Sequence, residues 1–201
     1  QGLALNQLKK YQDAITCFDK VLEIDPKYIA AINNRGISLA ELGNTDDALE
    51  YYNKAIEIDP KYAAAYYNRG VLYDKLLKHE EAIQSLDEAI KCDSGNVNTA
   101  FYRGIVLGKM KKHEESLNCF ENICRKHPKH MDAYFHKGME LAELGKHDKA
   151  LAIFDKLLQI HEGNVNVIYA MARSNAAIAN IGRALYLLEL AVKKDRKTIK
   201  K

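Results

Sequence analysis

The chain has 201 residues, with 30 Lys and Arg against 27 Asp and Glu and a net charge of +3. That balance is too slight to argue for a nucleic-acid partner, and no apolar run of about 18 residues is present to form a membrane-spanning helix. The four cysteines, Cys17, Cys92, Cys119 and Cys124, are too sparse for a disulfide framework and predict a reducing, cytoplasmic setting. No secretory leader is visible.

The strongest signal is self-similarity at a spacing of 34 residues. Asn34-Arg35-Gly36 recurs as Asn68-Arg69-Gly70, then as Tyr102-Arg103-Gly104 and His136-Lys137-Gly138. Pro26 and Pro60 keep the same spacing, as do Ala14, Ala48 and Ala82, continued by Ser116, Ala150 and Ala184. Taking Ile29, Ala63, Val97, Met131 and Val165 as position 1 divides the chain in order. A partial repeat covers 1–28, five repeats cover 29–62, 63–96, 97–130, 131–164 and 165–195, and a basic tail covers 196–201. Gln1 falls at position 7, which predicts that half of a first helix lies outside this sequence.

Each unit reads as two helices. Helix A is predicted over roughly positions 2–14 and helix B over roughly 18–30, separated by a polar break such as Leu42-Gly43-Asn44-Thr45-Asp46. Asp46, Glu80, Glu114 and Asp148 open the B helices, where a carboxylate favours the positive end of the helix dipole. Pro26, Pro60 and Pro128 close them. At about 100° per residue, positions 4, 8 and 11 of helix A share a face, as do 20, 24, 27 and 28 of helix B. Small residues at 8 and 20 oppose large ones at 11 and 24, so the two helices can approach closely. A single unit cannot cover its own apolar face, and the units must therefore stack.

These residue types and spacings resemble the tetratricopeptide repeat family over nearly the whole chain. The resemblance implies an all-α, right-handed solenoid of stacked helix–turn–helix repeats, without catalysis, acting as a protein-interaction scaffold. Departures from the family pattern are a basic position 7 (Arg35, Arg69, Arg103, Lys137), Ser94 and Glu162 in place of proline, and Asn175 at the buried position 11 of the last copy. The basic ladder is expected to pair with Asp or Glu across the repeat, or to hold an acidic partner.

The resemblance makes the exposed side of the A helices the partner groove. Tyr67, Phe101, Phe135 and Tyr169 stand at position 5, and Asn34, Asn68, Tyr102 and His136 at position 6. These eight are the candidate peptide-binding residues. The aromatics would anchor a ligand, while Asn34 and Asn68 would hold its backbone, since an amide both donates and accepts. Positions 2, 5 and 6 lack the cations of a carboxylate clamp. The alternative readings are a regulatory or targeting arm of a larger enzyme, such as a glycosyltransferase or kinase, and a module that self-associates through its ends. The latter expects Phe18 to be exposed by the half-missing first helix, and Leu187 and Leu190 to lie uncovered at the other end.

No phosphate loop, G-x-S-x-G or H-E-x-x-H is present, so no catalytic residue and no cofactor is assigned. Cys124-x-x-His127-x-x-His130 with Cys119 nearby has zinc-like spacing. Cys124, however, falls at the core position held elsewhere by Ile56, Ile90 and Leu158, so no metal is assigned. His79, His113 and His147 recur at position 17, as packed turn residues.

Overall fold

The computed structural model describes the backbone of residues 1–199 and the side chains of residues 1–194; the basic tail at 196–201 falls outside the described side chains. Among the described residues the chain is entirely helical. It runs α1 (Gly2–Gln7), α2 (Tyr11–Ile24), α3 (Ile29–Glu41), α4 (Thr45–Ile58), α5 (Ala63–Lys75), α6 (His79–Cys92), α7 (Val97–Lys109), α8 (His113–Lys126), α9 (Met131–Glu143), α10 (His147–Ile160), α11 (Val165–Ala177) and α12 (Ile181–Ile199). Helix A thus begins at position 1 and helix B at position 17, each one residue earlier than the periodicity alone suggests. The helices form two compact units, Gln1–Val106 and Leu107–Lys201, and α7 contributes residues to both. From α1 to α6 and again from α8 to α12, consecutive helices pack against one another, as stacked helix pairs require.

The A-to-B turn has one geometry throughout. Position 15 takes a positive φ, between 58° and 86°, at Lys9, Gly43, Leu77, Lys111, Gly145 and Ala179. The next residue then donates its N–H back to the position-11 carbonyl, as in Lys10 to Leu5, Asn44 to Leu39 and Lys146 to Leu141. This is the bond that satisfies a helix C-terminus through a left-handed residue.

Close approach of the two helices rests on the glycine at position 8. A Cβ on Gly70 would lie 2.9 Å from Leu86 Cγ and 3.1 Å from the Ala82 carbonyl oxygen; one on Gly138 would lie 2.5 Å from the Phe154 ring. Successive repeats are then fastened at the rim by the basic ladder. Arg35 Nε meets Asp19 at 2.5 Å, Arg103 Nε meets Asp87 at 2.5 Å, and Lys137 Nζ meets Glu121 at 3.0 Å. Where the acidic partner is replaced, Arg69 instead donates to Asn53 Oδ1 at 2.7 Å and to Ser85 Oγ at 3.2 Å. Asp19, Asn53, Asp87 and Glu121 all sit at position 25 of the preceding repeat, whereas Ser85 lies in Arg69's own repeat. Such half-exposed pairs are worth about 0–1 kcal/mol each and act mainly on register.

Three sequence expectations about packing are corrected. Phe18 is buried, because Gly2 brings α1 down onto its ring. Leu187 is also buried, and Leu190 is half-buried against the same core. Leu187 stands at position 23, which is a seam between helices in the earlier copies, where Ser85 is buried and Tyr51, Cys119 and Ile153 are half-buried. Asn175 fits the core at position 11 by donating to the Met171 carbonyl at 2.9 Å, one turn back along its own helix.

Candidate functional site

In the first unit the candidate residues lie on α3, α5 and α7. Asn34 donates one amide N–H to the Ala30 carbonyl at 2.6 Å. Asn68 donates to Asn33 Oδ1 at 2.9 Å, and Asn33 is itself buried. Neither amide is therefore a free arm: Asn34 is oriented by its own helix and Asn68 by the preceding A helix, and each keeps a second N–H for another acceptor. Tyr67 and Tyr102 form an edge-to-face pair with centroids 6.0 Å apart and planes at 68°. Burial raises the Tyr67 phenol above its ordinary pKa. Tyr102 donates its hydroxyl to Asp74 Oδ2 at 2.6 Å, and burial followed by that carboxylate holds its phenol protonated well above the usual range. Asp74, buried, also lies 3.1 Å from His79 Nδ1. Phe101 is half-buried on the same helix as Tyr102.

In the second unit the candidates lie on α9 and α11. His136 stacks on Phe120 of α8, with centroids 5.3 Å apart and planes at 24°. Burial pushes the His136 pKa down, against the opposing pull of Asp132. Phe135 meets His136 edge-on at 5.5 Å and Phe154 at 6.0 Å, so its ring is partly committed to the core. Beside Phe135 lies a cavity of about 90 Å³ walled by Met131, Leu157, Ile160 and Val167, with Asp132 and Asn166 among its polar lining residues. Tyr169 is exposed.

The aromatic row is thus not a uniform solvated surface. Tyr169 stands out; Tyr67 and Tyr102 form a rigid platform; Phe135 and His136 share their area between surface and core. Sequence reasoning missed Asn33 and Asp74, the buried groups that fix Asn68 and Tyr102. The cue for Asn33 was a polar residue where the other copies are aromatic, and for Asp74 a carboxylate where most copies carry Ala or Gly.

The cysteine–histidine constellation is taken up by packing. Cys124 is buried in α8, which raises its thiol pKa. His130 caps α9, its Nδ1 accepting from Ala133 N at 3.2 Å. Among the described residues no three His, Cys, Asp or Glu side chains are grouped to hold a metal ion, and no described helix is long and apolar enough to cross a membrane.

Family models described as tetratricopeptide repeat match residues 1–28, 63–96 and 103–165, with a further one at 17–50 and a TPR repeat model at 38–76. No curated protein matches the chain significantly. Among solved structures, YrrB, described as a TPR protein with an unusual peptide-binding site, is 26% identical with a TM-score of 0.75, over 88% of this chain and 91% of that one. MamA from Desulfovibrio magneticus is 16% identical with a TM-score of 0.77, covering 84% and 96%. The C-terminal part of a TPR repeat-containing protein from Cytophaga hutchinsonii is 18% identical with a TM-score of 0.81, covering 98% and 79%.

Proposed function

Because the chain belongs to the tetratricopeptide repeat family, we propose that it is a non-catalytic scaffold taking an extended peptide or a partner helix on the exposed faces of its A helices. The observation that carries this reading is the pre-set Tyr67–Tyr102 pair beside the anchored amide of Asn68. Rigid aromatics lose little freedom on binding, and such anchors commonly dominate an interface. The oriented amides of Asn34 and Asn68 would bind a ligand's peptide groups, giving affinity without demanding a sequence. In the second unit Tyr169 and the cavity beside Phe135 offer a place for one apolar side chain. The likeness to YrrB, with its described peptide-binding site, supports the same reading. The groove aromatics are flanked by few charges, with Asp132 and Arg173 in different repeats, so steering by charge is weak.

The test is selection of a displayed random-peptide library on the 201-residue chain, followed by affinity measurement on the enriched peptides. Enriched segments should be mostly apolar and should bind nearly equally at low and moderate salt. The Phe101→Ala, Phe135→Ala double variant should lose binding at least tenfold with helicity retained. Tyr67→Ala, Tyr169→Ala should do the same at lower structural cost. Peptides whose binding survives both double variants, or collapses as salt rises, would move the site to the basic ladder or to the outer B helices.

A further inference from the structure

Position 24 is the centre of the B-helix face. Phe18, Tyr52, Leu86, Phe120 and Phe154 hold it with exposures of 7%, 2%, 0%, 0% and 0%. The A helix of the following repeat helps to cover it: Phe120 carries the His136 ring, and Phe154 shares a core with Val167 and Ile168. On α12 the same face is made of Ile181, Leu185, Leu188 and Val192, at positions 17, 21, 24 and 28. There the exposures are 55%, 56%, 41% and 42%. One continuous aliphatic stripe, without a charge in it, therefore lies open at a place that is a helix–helix interface in the preceding copies.

We propose that this stripe pairs with the same stripe of a second copy of the chain, α12 against α12 and antiparallel. Two observations select that occupant. Its apolar residues are spaced four, three and four apart, a pattern that reads the same in both directions. A two-fold axis between Tyr186 and Leu187 therefore sets Ile181 against Val192 and Leu185 against Leu188, the self-complementary contact that closes a dimer. The second observation concerns what else a copy could offer. The A helices cover their neighbours through a small residue at position 3, and Ala31, Ala65, Thr99, Ala133 and Val167 are all already buried. Among the described residues of a second copy, α12 is the helix with a free aliphatic stripe. Glu189, on the solvent side of the stripe, falls between Gly182 and Tyr186 of the other copy and so meets no like charge.

Sedimentation of the 201-residue chain under reducing conditions, over a concentration series into the hundreds of micromolar, tests this. The expected result is a monomer–dimer equilibrium with no larger species. Leu185→Glu, Leu188→Lys and Leu185→Lys change exposed residues, so each should keep its helicity and become monomeric. Mixing Leu185→Glu with Leu188→Lys should restore the dimer, because the antiparallel register sets the two new charges together and leaves the second Leu185–Leu188 contact intact. Mixing Leu185→Glu with Leu185→Lys should not. A wild-type monomer throughout, a dimer that persists in the charged variants, or an open series of larger species from head-to-tail contact would each overturn the proposal. So would restoration by the second mixture in place of the first.

Discussion

Glu140 reaches from α9 to the first residue of α8, setting its Oε2 2.8 Å from His113 Nδ1. Gly108 makes the room: a Cβ there would stand 2.6 Å from Glu140 Oε1. Elsewhere the position-17 histidine is served differently, His79 by Asp74 at position 12 of its own repeat. Gly108 occupies that same position 12, so one repeat supplies the carboxylate locally and the other leaves space that its neighbour fills.

Gly108→Ala should therefore cost stability. The carboxylate end can swing away, but it then loses the histidine and leaves a buried polar group poorly paired, a cost of about 1–3 kcal/mol that outweighs the roughly 0.5–1 kcal/mol that alanine gains in a helix. Gly182, near the start of α12, is the control, because a Cβ added there would meet nothing within 4 Å. Gly182→Ala should raise stability by about 0.5 kcal/mol through helix propensity alone. Thermal midpoints moving in opposite directions for these two identical substitutions would support the account; a fall in both would contradict it.

Gly70→Leu tests the helix crossing itself. Its neighbours include the Ala82 carbonyl, which is backbone and cannot swing aside. Overpacking there should cost about 3 kcal/mol. Glu57→Ala, on the exposed side of α4, should change stability by less than about 0.5 kcal/mol. Comparable urea midpoints for the two variants would remove the assigned A–B packing.

His136 predicts an acid sensitivity with a definite sign. Burial against Phe120 lowers its folded-state pKa below the unfolded value, with Asp132 opposing. Between those two values the unfolded chain binds a proton that the folded chain does not, so stability rises with pH across that window. The stabilisation is full above the unfolded value and is lost as pH falls through the folded one. His136→Phe keeps a ring on Phe120 and removes the titration. Its melting temperature should therefore fall less than that of the wild type between neutral and mildly acid pH. Parallel curves for the two proteins would dissociate His136 from any such effect.

The helix pairs were legible in the sequence because two registers agreed: a 34-residue repeat and, inside it, a helical apolar period. The position-7 ladder was half legible, since its cations are visible as a column but their position-25 partners, Asp19, Asp87 and Glu121, become a column only once the stacking offset is known. The groove was less legible. A helix face read in isolation places Asn33 and Phe135 outward, whereas Asn33 accepts from Asn68 of the next repeat and Phe135 leans on Phe154 of its own B helix. Leu187 failed for the same reason, because position 23 belongs to a seam between helices.

The A-to-B turn was the least legible feature, because its left-handed residue carries the expected glycine in only two of six copies. Leu77 adopts φ +60° and is 78% exposed, so it gains little from packing to offset the crowding between its Cβ and backbone. A left-handed conformation costs a residue with a Cβ roughly 1–2 kcal/mol. Removing that cost with glycine is offset in part by the greater freedom glycine loses on folding. Leu77→Gly should therefore stabilise the chain by about 1 kcal/mol. The reverse change at the matching position is equally clean. Gly43 has φ +86° and open space around a Cβ, so Gly43→Ala should lose about 1 kcal/mol from backbone strain alone, with no steric contribution. Measuring both by thermal unfolding isolates the turn from the packing on either side of it. If Leu77→Gly lowers the midpoint, the turn is held by side-chain contacts of Leu77, and the left-handed residue is not the source of strain.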